Sequence, residues 1–298
     1  MTNDVEEVSI VNNNLNRITA ENVSKKGIPK LLDLYSKFDV EGTFYFTGTF
    51  AKSYPESVQL VMDHGHEIGC HGYSHHTSHA FDVLSTQKQY LHLSSSKKII
   101  EEIAGKIESF RAPALRLGYN TPLLLEKLGF KTDSSVASQR FDGPMTFGSL
   151  QKLNWLSSPR MPYHMDSQNP YRRGRSRILE IPPSALLLSY QGTTMRVSPK
   201  LNNLIGNYLF KESKRINKPI VFIFHPVELL NEKQSQKIKS RSKSFLSSFF
   251  GDKLRTKLKS RNLGRKAEDL LKNVLKKSVD EGFEFCSVKR YSKKFYSE

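Results

Sequence analysis

Short runs of apolar, β-branched and aromatic residues that stop at a titratable side chain recur along this chain. They confine it to folds in which several strands deliver polar groups to one edge. The clearest run is Pro219-Ile220-Val221-Phe222-Ile223-Phe224, which ends at His225. Glu67–Cys70 stops at His71, and Ser109-Phe110 stops at Arg111. Between them, Ile28–Phe38, Pro55–Met62, Gln87–Ile103 and Thr121–Leu128 carry apolar residues at helical spacing. Strands are expected over Gly42–Phe46, Glu67–Cys70, Ser109–Arg111, Lys131–Asp133 and Ile178–Pro182, with a last one near Phe283–Val288. Strands alternating with helices predict an α/β chain with sequential parallel strands, and active groups gather at the carboxyl ends of such strands.

The 298 residues, 37% of them hydrophobic, suffice for one barrel of about 250 residues, so residues 1–298 read as a single domain. No run approaches the roughly 18 apolar residues of a membrane span and no basic-then-apolar leader opens the chain, so a cytoplasmic location is expected. Cys70 and Cys286 cannot build a disulfide framework or a cysteine zinc site, and both read as free thiols. Residues 138–177, rich in Ser, Arg, Pro and aromatics, are expected to form irregular loops over the barrel mouth.

The chemistry concentrates in Gly69-Cys70-His71-Gly72-Tyr73-Ser74-His75, where two imidazoles stand four residues apart after a strand. That is metal-ligand spacing, weak alone. Thr2-Asn3-Asp4-Val5-Glu6 adds two carboxylates, which an extended chain directs to one face while Val5 points to the other. Phe110-Arg111-Ala112-Pro113 adds an arginine of buried character. His64, His66, His76 and His79 read as surface or supporting groups.

In order and spacing these motifs resemble those of the NodB-homology polysaccharide deacetylases, carbohydrate esterase family four, from about Asp4 to His225. The resemblance implies a distorted (β/α) barrel, and one divalent metal, usually zinc, held by two histidines and an acid. His71 and His75 match the histidines. The usual pair of adjacent aspartates is broken by Val5, so Asp4 is expected as general base and Glu6 as the metal's carboxylate; the alternative has Asp4 ligating and Glu6 as a surface acid. The resemblance further assigns Arg111 to orienting Asp4, the Ala114 amide to the oxyanion, and His225 to protonating the departing amine. Asp133 is the candidate acid that tunes His225. The implied reaction is metal-assisted hydrolysis of an N-acetyl group on a sugar of a glycan or glycolipid. A non-sugar amidase of the same fold and a glycan-binding pseudoenzyme are the alternatives.

A net charge of +17 favours an acidic partner. Arg172, Arg173 and Arg175 could hold a phosphate or uronate at the presumed mouth. The stretch Lys237–Lys259, within a basic helical insertion over about 228–262, mixes Phe and Leu with Lys and Arg as a segment resting on an anionic membrane would. Nucleic acid, supported by charge alone, ranks last. Asp4 stands only three residues after Met1, so the first strand is expected to be truncated and to gain stability from about four to eight upstream residues.

Overall fold

The computed structural model describes residues 1–12, 14–141, 149–232 and 254–296. Among these, nine strands form one sheet, labelled here in chain order: β1 Thr2–Val5, β2 Thr43–Phe46, β3 Glu67–Cys70, β4 Ser109–Phe110, β5 Thr132–Asp133, β6 Tyr163–Asp166, β7 Asn169–Arg173, β8 Leu179–Glu180 and β9 Ile223–Phe224. The spatial order is β9-β1-β2-β3-β4-β5-β8-β6-β7. The first seven positions are parallel, and β6 and β7 continue antiparallel. Beyond β8, Ser184 N–H donates to the Val221 carbonyl at 3.0 Å and Val221 N–H donates to Ser184 Oγ at 2.9 Å. The chain thus curls back toward β9 without a continuous ladder, as a distorted (β/α) barrel.

Residue parity divides the sheet into two layers. Val5, Phe46, Cys70 and Phe110 stand in register and pack outward into the main apolar core, against helices that include α1 Ile28–Ser36 and α2 Pro55–Asp63. The opposite face, the barrel interior, is polar. Arg111 there meets Thr2 and Asp4, and Ser109 meets Thr132. Its apolar residues Leu179, Ile181 and Val221 cluster with Val288.

Three expectations are corrected. Residues 283–287 are not a strand; Ser287 caps the helix Val288–Phe295 by accepting from Arg290 N–H, and the N–H groups of Val288 and Lys289 donate to Thr43 Oγ1 and Glu67. This helix closes the end of the barrel at which strands begin. Residues 138–177 are not irregular throughout, because Leu150–Leu156 is a 3-10 helix and β6–β7 is an antiparallel pair. Arg172, Arg173 and Arg175, expected at the mouth, also sit away from it. Arg173 pairs with Met165, Met165 N–H donates to Ile178, and Leu179 N–H donates to Lys131, which places Arg173 level with the start of β5. Arg177 pairs with Glu126 in the last turn of the helix Thr121–Lys127, at the same far end.

Of the proposed insertion, residues 233–253 lie outside the described residues, and Leu254–Lys259 is helical. β1 is laddered on both sides as it stands, Thr2 and Asn3 to β9 and Thr2 through Val5 to β2.

Candidate active site

The site forms where β1, β3, β4 and β9 end. Asp4 and Glu6, two apart on an extended chain, reach the same side while Val5 packs outward, fully buried. His71 follows β3 directly. His75 comes round through Gly72, whose φ of +69° only glycine adopts freely and where a Cβ would sit 3.1 Å from Pro113.

Glu6 Oε2 lies 3.1 Å from His75 Nε2 and 3.7 Å from His71 Nε2. One ligand atom from each of these three residues fits within 4.8 Å of the others. Glu6 Oε2 is buried and receives no well-formed hydrogen bond, an orphaned acceptor facing two imidazole nitrogens. His71 Nδ1 is 2.9 Å from the Arg111 carbonyl, so it carries the proton and leaves the Nε2 lone pair toward Glu6. The donor set suits a divalent metal that accepts nitrogen and oxygen.

Arg111 is fully buried and holds Asp4 from behind. Its Nη1 donates to Asp4 Oδ1 and to Thr2 Oγ1, both at 2.9 Å, while Nε and Nη2 donate to the carbonyl and hydroxyl of Ser134, each at 2.7 Å. The guanidinium also lies 4.5 Å over the Tyr45 ring. Burial pushes the Asp4 carboxyl up, but Arg111, His71 and His225 outweigh it and bring it down to about 2. The other oxygen, Asp4 Oδ2, is 3.9 Å from His71 Nε2 and 3.8 Å from His225 Nε2.

His225 has a different partner from the one expected. Its Nδ1 and its backbone N–H both lie 3.1 Å from Glu228 Oε1. Glu228 is in turn gripped by the buried Arg196. Burial lowers the His225 imidazole, yet Glu228 and Asp4 raise it further, to about 9. Asp133 is turned away by parity: Thr132 and Ser134 face the barrel interior, so Asp133 points outward beside Glu180, where burial raises both carboxyls. Glu228 was detectable as the acid three residues after the residue that starts a helical turn, the pattern of a capping box. Arg196 and Tyr45 carried no comparable signal.

Ala114 holds φ +54° and its N–H donates to His75 Nε2 at 3.1 Å, so this exposed amide is aimed at the cluster of Glu6, His71 and His75. The structure brings together Asp4, Glu6, His71, His75, Arg111, Ala114 and His225. Asp133, Arg172, Arg173 and Arg175 are not among them.

The family model for polysaccharide deacetylase matches residues 14–132. That span contains His71, His75, Arg111 and Ala114; Asp4, Glu6 and His225 are joined to it by the fold. A peptidoglycan deacetylase of Helicobacter pylori is 33% identical over 116 residues, 39% of this chain and 39% of that protein. A peptidoglycan-N-acetylmuramic acid deacetylase of Bacillus subtilis is 31% identical over 120 residues, 39% of this chain and 44% of its own. The aligned segment thus spans about two fifths of these relatives' length. A polysaccharide deacetylase structure from Mycobacterium smegmatis superposes with a TM-score of 0.56 at 21% identity over 76% of both chains, and an allantoinase structure with 0.50 at 18%, again over 76% of both. These structural likenesses speak to the fold.

Proposed function

We propose that this chain, a member of the NodB-homology polysaccharide deacetylase family, hydrolyses an N-acetyl group on a sugar of a glycan or glycolipid and releases acetate. The observation that carries this reading is the Glu6, His71 and His75 cluster, flanked on one side by the Asp4–Arg111 pair and on the other by the His225–Glu228 pair. The names of the relatives as peptidoglycan deacetylases support an N-acetylated amino sugar as the substrate class.

Glu6, His71 and His75 would hold one divalent metal, zinc in this reading. What it supplies when bound is a lowered pKa for water and polarisation of the amide carbonyl. The rest is derived from the chain. Asp4, ionised at neutral pH and fixed by Arg111, accepts the proton of the attacking water. The Ala114 N–H, which meets His75 Nε2 in this structure, would be released when that nitrogen holds the metal and would donate to the oxygen on which negative charge develops. His225, protonated at neutral pH, gives its proton to the leaving nitrogen, and Glu228 holds the imidazole by Nδ1 so that Nε2 faces the site. Acetate and a free amine result, with no covalent intermediate on the protein.

The test combines acetate release from N-acetylated chitooligosaccharides and peptidoglycan fragments with elemental analysis. His71→Ala, His75→Ala and Glu6→Gln should lose metal and activity, whereas Asp4→Asn and His225→Ala should lose activity and keep metal. Metal retained by Glu6→Gln but lost from Asp4→Asn would exchange the roles of the two acids. Equal metal loss in all five variants would refute the assignment.

A further inference from the structure

The rim of the barrel mouth carries an apolar surface that the reaction does not use. Three segments build it. Gln139–Phe141 follows β5, and its backbone bonds to the hairpin that follows β8: Phe141 N–H donates to Leu187, and Leu187 N–H donates to Gln139. Gln139 also joins the 3-10 helix, its N–H donating to the Trp155 carbonyl and its side-chain amide to the Leu156 carbonyl. A 3-10 helix has three residues per turn, so Leu150, Leu153 and Leu156 stack into a straight ridge. All three are exposed, up to 77% at Leu150, while Lys152 and Trp155 face inward.

Leu187 stands at the tip of the hairpin Ala185–Leu186/Leu188–Ser189 with a φ of +59°, which costs a non-glycine residue energy. It is 64% exposed, and Leu188 and Phe141 beside it are exposed too. Six large apolar side chains are thus exposed on three segments tied to one another through Gln139, Phe141 and Leu187, and exposed apolar surface of this kind is often functional. The Leu187 backbone is held by its hydrogen bonds to Gln139 and Phe141, while its side chain projects into water.

We propose that this rim docks the protein onto an anionic lipid bilayer, with Leu150, Leu153, Leu156, Leu187, Leu188 and Phe141 entering the interface. Charge selects the occupant. The segments Gln139–Phe141, Ser149–Leu156 and Ala185–Ser189 contain no acidic residue; of their two basic ones, Lys152 is buried and Arg140 lies half-buried over the Trp155 ring, so the attraction to an anionic surface comes from the chain's overall +17. A second copy would bring +17 against +17, which opposes self-association. A hydrated glycan finds little to bind in five leucines, which offer neither hydrogen bonds nor a stacking face, and Phe141 adds a single ring. A surface both apolar within and negative outside satisfies the ridge and the charge together. The proposal is independent of the catalytic reading, since docking needs neither metal nor turnover.

The test is co-sedimentation of the full chain with phosphatidylglycerol-rich vesicles and with pure phosphatidylcholine vesicles. The variant is Leu153→Gln/Leu187→Asn; both positions are exposed, and Asn tolerates positive φ, so the fold should persist with an unchanged thermal midpoint. The wild-type chain should bind the anionic vesicles and favour them over neutral ones, and the double variant should bind at least about tenfold more weakly. Undiminished binding by the variant would place the contact on basic residues elsewhere and overturn the proposal, as would failure of the wild-type chain to bind. A wild-type dimer in sedimentation velocity that the variant dissolves would make the occupant a second copy, and equally refute it.

Discussion

Replacing Glu228 by Gln separates charge from shape at His225. Gln can still accept from the His225 backbone N–H, so the turn is retained while the negative charge 3.1 Å from Nδ1 is removed. Glu228 raises His225 both as hydrogen-bond partner and as charge, and without it burial is opposed chiefly by Asp4. His225 should therefore fall from about 9 toward or below the ordinary 6.5. At pH 8 an imidazole titrating at about 9 is roughly nine-tenths protonated, and one at 6.5 only about one-thirtieth. Acetate release at pH 8 should drop by up to about thirtyfold, with a much smaller loss at pH 6. The linked stability has a definite sign: a folded pKa raised above the unfolded value stabilises fully below about 6.5 and loses that contribution as pH rises through about 9. The full shift corresponds to roughly 3 kcal/mol, and the variant should lose most of that dependence. Leaving Arg196 buried without its carboxylate adds a separate cost of about 3–5 kcal/mol, so Arg196→Gln/Glu228→Gln should be made beside it. The assays are the pH profile of acetate release and NMR titration of the His225 ring. An unmoved alkaline limb in a folded variant would show that Glu228 merely caps the turn, and would sink the reasoning.

Gly192→Ala should act on the same pair from outside the site, because a Cβ there would sit 2.3 Å from Glu228 Oε1; an alkaline limb shifted to lower pH, with a stability loss of about 1–3 kcal/mol, is expected, and an unchanged profile would show that Glu228 has room to yield. Arg111→Lys keeps the charge but cannot make the four hydrogen bonds to Thr2, Asp4 and Ser134. Turnover and thermal midpoint should both fall with metal content unchanged, and full turnover would remove Arg111 from the mechanism.

What the sequence disclosed is set by how local each cue is. The strand ends at His71, Arg111 and His225 were legible because an apolar run that stops at a polar residue needs no knowledge of its partners. Asp4 and Glu6 were legible as a same-face pair for the same reason, since the period of two belongs to any extended chain. Asp133 was misjudged because its role turns on which parity faces inward in β5, and that is fixed by Thr132 meeting Ser109 and by Ser134 meeting Arg111 across neighbouring strands. The arginines near Arg173 failed differently. Their composition is that of a loop, but β6, antiparallel to β8, carries the chain down to the far end of the sheet, and β7 turns back beside it there, a direction that composition does not encode. Phe283–Val288 is a short apolar run, which periodicity cannot divide between strand and helix start; the Ser287 cap decides it.

The opposite displacements of Asp4 and His225 are partly one interaction, and this governs how an Asp4 variant must be read. Asp4 Oδ2 lies 3.8 Å from His225 Nε2, and each group holds the other in its charged form. Neutralising Asp4 thus deprives the site of a base and also lowers the proton affinity of the acid. Asp4→Asn should show its activity loss at every pH, from the missing base, plus a steeper decline on the alkaline side as His225 gives up its proton earlier. Glu228→Gln should show only the second effect. Comparing the two at pH 6, where His225 is still substantially protonated, isolates the base: a large deficit in Asp4→Asn there, against a small one in Glu228→Gln, is the expected result. Equal deficits at pH 6 would mean that Asp4 works only by holding His225 protonated, and the proton of the attacking water would need another acceptor.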